Sequence, residues 1–350
     1  MEVAPLDIPL HVPFGIAGGA QPMANNVLVS LELADGTRGY GEAAPLPPYN
    51  GETQAQAIAA LSAGRARVTD REFAEWRQLA STLQPARSSG SAQCAFEMAL
   101  LDACARQRGE PLWKFFGGAG TTVETDMTVT TGTAAEAAEA ARAIRARGIR
   151  MIKVKVGGKA GAAADLERIA AIHEVAPDAP LILDGNAGVT RDDARTLAAG
   201  LRRLGITPAL LEQWLAKNDL EGMRALAEET RWPVAADESV TSAADARRVV
   251  EMRAAQVINI KLMKAGVAAA LDIVEVARAH GLGLMIGGNV ESILAMTTSA
   301  CFAAGLGGFT FADLDTPLFL AMNPFAGGYR MKGGEISVAH IAAGHGVTPK

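Results

Sequence analysis

Five short β-type runs end in Lys153 and Lys155, Asp184, Glu212, Asp237 and Lys261, and this recurrence limits the possible folds more than any other feature of the chain. From Asp184 through Glu212 and Asp237 to Lys261 the steps are 28, 25 and 24 residues. A step of that length holds one strand, one helix and two loops. From about residue 121 the β-type runs number eight, at 122–130, 151–156, 181–184, 209–212, 234–237, 257–261, 284–286 and 309–313, with Ala/Arg/Glu-rich helical stretches between them. Eight parallel strands close a barrel, and their carboxyl ends converge on the mouth where such barrels carry out chemistry.

Residues two apart on a strand point the same way, so Lys153 and Lys155 share a face. The second and sixth strands of an eight-stranded barrel lie opposite each other, which sets Lys155 against Lys261 across the mouth. Asp184, Glu212 and Asp237 fill the arc between them. Three carboxylates with no His or Cys nearby suit a hard divalent cation, Mg²⁺ ahead of Mn²⁺ and both well ahead of zinc. A carbon acid beside a carboxylate is very weakly acidic, and its enolate dianion needs cations already in position. A lysine base must also be neutral near pH 7, and crowding Lys153, Lys155 and a metal ion together is expected to lower the working pKa. Two amines on opposite faces then remove a proton on one side and return one on the other, which is racemase or epimerase chemistry. Taken singly, a Lys-x-Lys is more often a solvated strand edge and a lone acid more often a helix N-cap. The joint pattern favours a site.

The 350-residue length exceeds what one core usually organises, and a large domain with a smaller one is expected. The 49% apolar fraction is ample for a core, while a net charge of −5 without a Lys/Arg run speaks against nucleic acid or an anionic membrane as partner. Cys94, Cys104 and Cys301 lack metal-ligand spacing and read as buried thiols. With no run of about 18 apolar residues and no basic leader, the expected setting is the cytoplasm. Residues 1–50 read as antiparallel sheet, with a strand at 27–33, a turn at Asp35-Gly36 and a return at 39–43, and residues 54–117 read as helical. His11, His173, His280, His340 and His345 fall in this N-terminal half, in outer helices or in the tail, as surface or packing residues.

Lys153-Val-Lys155, Asp184-Gly-Asn186, Glu212-Gln213, Asp237-Glu238-Ser239 and Asn259-Ile-Lys261 resemble the signature of the enolase superfamily, muconate-lactonizing subgroup. The resemblance implies an α+β capping domain over residues 1–120, joined by a C-terminal segment of about 320–350, and a (β/α)7β barrel over 121–320. It also implies Asp184, Glu212 and Asp237 as metal ligands, Lys155 and Lys261 as acid/base lysines, and Lys153 as an electrostatic helper. Asp313-Leu-Asp315, followed by Thr316-Pro317, is similar to the Asp-x-Asp of dipeptide epimerases, which binds the substrate's free α-ammonium group there. Carboxylates at i and i+2 can face one cavity and accept charge-assisted hydrogen bonds. Their plain alternative is to cap the turn before Pro317.

The implied activity is Mg²⁺-dependent epimerisation of the C-terminal residue of a dipeptide, by a protein expected to form homo-oligomers. Relatives acting on Ala-Glu place an arginine in the capping loop near residues 14–26, but Arg38 is the first Lys or Arg in this chain. The matching position falls at Gly18 or Gly19. The epimerised residue is therefore expected to be neutral or apolar, with Gly19, Tyr49 and Asn50 lining its pocket and Asn289 as a further substrate contact. N-succinylamino acid racemase, o-succinylbenzoate synthase and muconate cycloisomerase would share the metal and lysines, but their substrates offer no ammonium to Asp313 and Asp315. A binding protein that has lost turnover would not need both lysines. The chain departs from the family pattern at Gly185, where Ala is usual, at Val189, where an aromatic is common, and at Trp214, where Pro often follows Glu-Gln.

Overall fold

The computed structural model describes residues 1–16, 19–73, 75–83 and 89–350. The chain opens with an antiparallel sheet of β1 (Glu2–Ile16), β2 (Gly19–Glu32) and β3 (Arg38–Ala43), in that spatial order. Helices α1 (Pro47–Asn50), α2 (Gln54–Val68), α3 (Trp76–Thr82), α4 (Gly90–Gln107) and α5 (Leu112–Phe115) follow. Val27, Val29 and Leu31 alternate inward from β2 and pack with Phe96 and Leu100 of α4. The sheet touches α4 without a spacer, because a Cβ at Gly39 would lie 2.1 Å from the Ala99 carbonyl oxygen and one at Gly41 2.0 Å from that of Ala95. Only glycine permits that approach. Helix α4 is buried nearly all round, which explains its lack of a polar face.

A short strand β4 (Thr122–Glu124) leads into the barrel: β5 (Met127–Val129), β6 (Ile152–Lys155), β7 (Leu181–Asp184), β8 (Leu210–Glu212), β9 (Val234–Ala236), β10 (Val257–Lys261), β11 (Gly283–Gly287) and β12 (Phe309–Ala312). These eight strands pair in unbroken order, all in parallel. Between them run α6 (Ala134–Ala146), α7 (Gly161–Val175), α8 (Arg191–Arg203), α9 (Leu220–Thr230), α10 (Ala243–Met252), the turn α11 (Leu262–Ala265) with α12 (Val267–Ala279), and α13 (Ile293–Leu306). The architecture is a (β/α)7β barrel with an antiparallel N-terminal cap. No helix among the described residues is long and apolar enough to cross a membrane.

One run read from sequence as a single strand is two. Residues 122–130 break at Thr125-Asp126, because Thr125 N–H donates to the Gly334 carbonyl while Asp126 N–H donates to that of Ala312. Strand β4 thus pairs antiparallel with β13 (Glu335–Ser337), and β5 pairs parallel with β6. The Asp126–Ala312 bond, at 2.8 Å, joins the first barrel strand to the last.

The strand period separates core from chemistry. Ile182, Leu210, Ala235, Val257 and Met285 point inward and form an apolar plug. Two residues further along the same strands stand Asp184, Glu212, Asp237 and Asn259, also facing inward but one layer nearer the mouth. The intervening Leu183, Leu211, Ala236 and Ile258 face outward into the main core against the helices.

The cap is fastened to the barrel by buried polar bonds. Glu42, at the end of β3, accepts from Asn26 Nδ2 at 2.6 Å, Ser292 N at 3.0 Å and Ala295 N at 3.3 Å, so its carboxylate meets the N-terminus of α13. In the tail, His345 N–H donates to Asp102 of α4 at 2.9 Å, and its Nε2–H donates to the Tyr40 carbonyl at 2.9 Å. Burial lowers the pKa of His345, which is a packing residue as its sequence position suggested.

The three departures from the family pattern form one packing unit. Trp214 is buried and donates Nε1–H to the Leu183 carbonyl at 2.9 Å, and Val189 N–H donates to the Trp214 carbonyl. A Cβ at Gly185 would lie 2.6 Å from Trp214 Cα and 3.0 Å from Val189 Cγ2. Trp214 needs the space that glycine leaves. Gly185→Ala is therefore expected to destabilise the protein by ~1–3 kcal/mol through overpacking, read as a lower urea midpoint at unchanged m-value. An unchanged midpoint would show that the loop yields freely.

Candidate active site

The charged residues read from the sequence meet at the carboxyl ends of β6 to β10. Lys153 Nζ lies 3.0 Å from Asp184 Oδ2, 2.9 Å from Glu212 Oε2 and 2.6 Å from Asp313 Oδ2. Lys155 Nζ lies 2.6 Å from Asp184 Oδ2, and Lys261 Nζ lies 2.7 Å from Asp237 Oδ2. Strands β6 and β10 are separated by β7, β8 and β9, so Lys155 and Lys261 bound the acidic arc from its two ends. Arg168 pins the first end: its Nη1 donates to the Thr130 carbonyl at 3.0 Å, its Nη2 donates to the Lys155 carbonyl, and it pairs with Asp165.

Loop geometry holds the acids. Asp184 Oδ1 accepts from Asn186 N at 2.9 Å, and Glu212 Oε1 accepts from Asn259 Nδ2 at 2.8 Å. Gln213, in a left-handed conformation with φ 36°, accepts from Asp237 N at 2.9 Å and donates to Ser239 Oγ at 2.8 Å. Glu212 Oε2 and Asp237 Oδ2 each have a lysine amine close by but no donor in hydrogen-bond geometry. The pairing there is one of charge without direction.

Neighbouring carboxylates govern how the buried lysines titrate. Burial opposes the charge on Lys153 and Lys261, yet neighbouring carboxylates outweigh it and raise both pKa values, Asp184 and Asp313 acting on Lys153 and Asp237 on Lys261. The amines face acids more closely than they face each other, and that proximity decides the direction. For Asp184 and Asp237 burial works against ionisation, but the lysines prevail, lowering both and leaving Asp237 at about 2. Glu212 rises to about 7 through burial and the charge of Asp184. Glu238 rises to about 8 through burial and the charge of Asp237.

Asp313 and Asp315 do not cap the turn before Pro317. Asp315 makes no side-chain cap bond, and its Oδ2 accepts from Thr128 N at 2.7 Å instead. Both side chains are buried beside Asp126, and one carboxylate oxygen from each of the three lies within 4.8 Å of the others. This acidic group is distinct from Asp184, Glu212 and Asp237, although Lys153 touches both.

The residues expected to line the substrate pocket fall in different surroundings. Tyr49, carried by the cap, donates its hydroxyl to Asp237 Oδ1 at 3.3 Å, and Lys261 Nζ stands 4.6 Å from its ring centroid. Asn289 donates Nδ2 to the Ala44 carbonyl of the cap at 2.8 Å, leaving its buried Oδ1 without a partner. Asn50 is exposed and bonds locally to Glu52. Gly19 is exposed, with φ 145°, near Pro48, and Gly18 lies outside the described residues.

The sequence reading missed Lys264. Its Nζ donates to the Asp237 carbonyl at 2.8 Å, to Asp237 Oδ1 at 3.0 Å and to the Asn259 carbonyl at 2.7 Å. Its spacing of three from Lys261, across a helical turn, was the available signal. Asp126 was hidden inside a run read as continuous strand.

Residues 1–117 match the mandelate racemase/muconate lactonizing enzyme N-terminal domain, and residues 135–350 match the enolase C-terminal domain-like family. The chain belongs to the enolase superfamily. Among its relatives is the aromatic dipeptide epimerase of Herpetosiphon aurantiacus, 50% identical over 98% of this chain and 96% of that protein. The hydrophobic dipeptide epimerase of Citrifermentans bemidjiense is 36% identical over 98% of this chain and 95% of that protein. The crystal structure of the Enterococcus faecalis dipeptide epimerase complexed with Mg and L-Leu-L-Tyr matches with a TM-score of 0.93 at 30% identity, covering 99% of this chain and 98% of that one.

The raised pKa of Glu212 has a stability consequence. A carboxyl that binds its proton more tightly when folded weakens the fold as pH rises from its unfolded value near 4.5 to about 7. In protein without added metal, Glu212→Gln is expected to raise the melting temperature at pH 8 and to leave it unchanged at pH 4. Equal shifts at both pH values would contradict the assignment.

Proposed function

We propose that the protein is a Mg²⁺-dependent dipeptide epimerase that inverts the α-carbon of the C-terminal residue and prefers an uncharged, apolar or aromatic side chain there. The observation that carries this reading is the pair Lys155 and Lys261, on β6 and β10, at the two ends of one buried acidic arc. Asp184, Glu212 and Asp237 offer only oxygen donors, and two of those oxygens are buried without a hydrogen bond, which fits a hard divalent ion. Mg²⁺ held there supplies two positive charges, which offset the carboxylates so that an amine beside them can be neutral, and which stabilise the substrate's carboxylate as its α-carbon loses a proton.

One lysine Nζ takes the α-proton with its lone pair, and the C–H electrons pass into the adjoining carboxylate. The opposite lysine, starting as an ammonium, gives its proton to the other face as those electrons return. The configuration inverts, and the two lysines exchange protonation states. Lys153 stays charged and answers the growing negative charge on the substrate's carboxylate. Asp313 and Asp315 accept from the α-ammonium of the N-terminal residue, a group that N-acylated substrates lack.

The cap supports the side-chain preference. Among the described residues before Arg38 there is no lysine or arginine, and Arg38 itself is exposed and paired with Glu32. Phe14, Leu46, Val290 and Leu320 form an apolar cluster at the junction of cap and barrel, with Tyr49 packed against it. The relatives named for aromatic and hydrophobic dipeptides point the same way.

With Mg²⁺, a panel of L-alanyl dipeptides is expected to epimerise fastest with apolar or aromatic C-terminal residues, as followed by chiral chromatography. Fastest turnover of L-Ala-L-Glu would contradict the preference, and no turnover of any dipeptide would contradict the activity. Lys155→Ala and Lys261→Ala are each expected to lose roughly a thousandfold or more of epimerisation, while one of them still exchanges the α-proton of a single epimer with D₂O. Near-normal epimerisation by either variant would rule out the two-base scheme.

A further inference from the structure

Asp126 has no part in the two-base reaction, yet both its carboxylate oxygens are buried without a hydrogen-bond donor, and Asp315 Oδ1 is in the same condition. Buried carboxylate oxygens without donors are costly, so such a cluster implies something that meets them. The fold does not ask for an acid at this position. The Asp126 backbone N–H makes the bond to the Ala312 carbonyl, which any residue but proline could provide.

One oxygen from each of Asp126, Asp313 and Asp315 lies within 4.8 Å of the other two. Neighbouring groups bound the cluster on two sides: Lys153 Nζ contacts Asp313 Oδ2 at 2.6 Å, and Thr128 N–H occupies Asp315 Oδ2. Both oxygens of Asp126, and Oδ1 of each of Asp313 and Asp315, accept no hydrogen bond from the described residues. We propose that Asp126 is the third carboxylate of the substrate's ammonium site, so that the pocket recognises a primary ammonium with one acceptor for each of its three N–H groups. This rests on the dipeptide epimerase reading and narrows it to dipeptides with an unsubstituted primary amine at the N-terminus. A primary ammonium presents three donors and no acceptor, and three carboxylates meet that geometry. Burial and the charge of Asp313 push the Asp126 carboxyl well above its ordinary range, and a cation held among the three relieves the repulsion.

The experiment compares L-alanyl-L-phenylalanine with its N-methyl-alanyl counterpart, which has two N–H donors, in the Mg²⁺-loaded wild type and in Asp126→Ala and Asp126→Asn. Wild type is expected to prefer the primary amine by tenfold or more in kcat/KM. In Asp126→Ala the primary substrate is expected to lose roughly ten- to a hundredfold, mainly through KM, while the N-methyl substrate loses little. The preference then falls towards one. If Asp126→Ala does not fold, the isosteric Asp126→Asn is read by the same ratio, with a smaller fall expected. An unchanged ratio, or a loss confined to kcat, would overturn the proposal. So would calorimetry in which Mg²⁺ alone binds wild type at two sites and Asp126→Asn at one, since that result assigns the three acids to a metal. A wild type that epimerises neither peptide would defeat the dipeptide reading itself, an outcome distinct from an unchanged ratio in active enzyme.

Discussion

The ammonium of Lys153 is the contact on which the rest of the barrel mouth depends. It is fully buried and lies within 3.0 Å of Asp184, Glu212 and Asp313, carboxylates from three strand ends that would otherwise repel one another. Removing that ammonium would leave uncompensated carboxylates in a low-dielectric setting, which costs more than any exposed ion pair contributes. Asp126, Asp184, Glu212, Asp237, Glu238, Asp313 and Asp315 share the mouth with the amines of Lys153, Lys155, Lys261 and Lys264, and burial together with the neighbouring carboxylates raises the pKa values of Asp126, Glu212, Glu238 and Asp315. A surplus of buried negative charge is an affinity for cations, and the proposed ligands, a divalent ion and a substrate ammonium, are both cationic.

The scaffold tolerates this because the strand period confines the charge. One step down each strand direction, Ile182, Leu210, Ala235, Val257 and Met285 fill the barrel with hydrocarbon, so the charged layer rests on a packed floor. The cap closes the other side, with Tyr49 against Lys261 and Asp237, and with Glu42 and Asn289 bonding cap to barrel. Lysines and acids are thus held on rigid elements, as proton transfer at a carbon acid requires.

Much of this was legible in the sequence. Asp184, Glu212, Asp237 and Lys261 could be aligned because strand-end positions recur at helix-plus-strand intervals, and Lys153 and Lys155 because the pleat has a period of two. The break at Thr125-Asp126 was not legible, because the carbonyls that cause it, on Gly334 and Ala312, lie some two hundred residues away in the chain. Strand β2 begins at Gly19, well before the run at 27–33, since pairing with β1 extends it through residues of weak strand character. The upward shift of the Lys153 and Lys261 pKa values depends on distances to carboxylates that only the folded chain sets. The mutual fit of Gly185, Val189 and Trp214 likewise spans two loops, and read singly each looked like an isolated departure.

A crystal structure with Mg²⁺ and an L-alanyl dipeptide would show whether the two amines bracket one carbon. Lys155 Nζ and Lys261 Nζ are expected on opposite faces of the C-terminal residue's α-carbon, each ~3–3.5 Å from it. Both amines on the same face, or either one turned away onto a carboxylate while the substrate is bound, would contradict the two-base scheme.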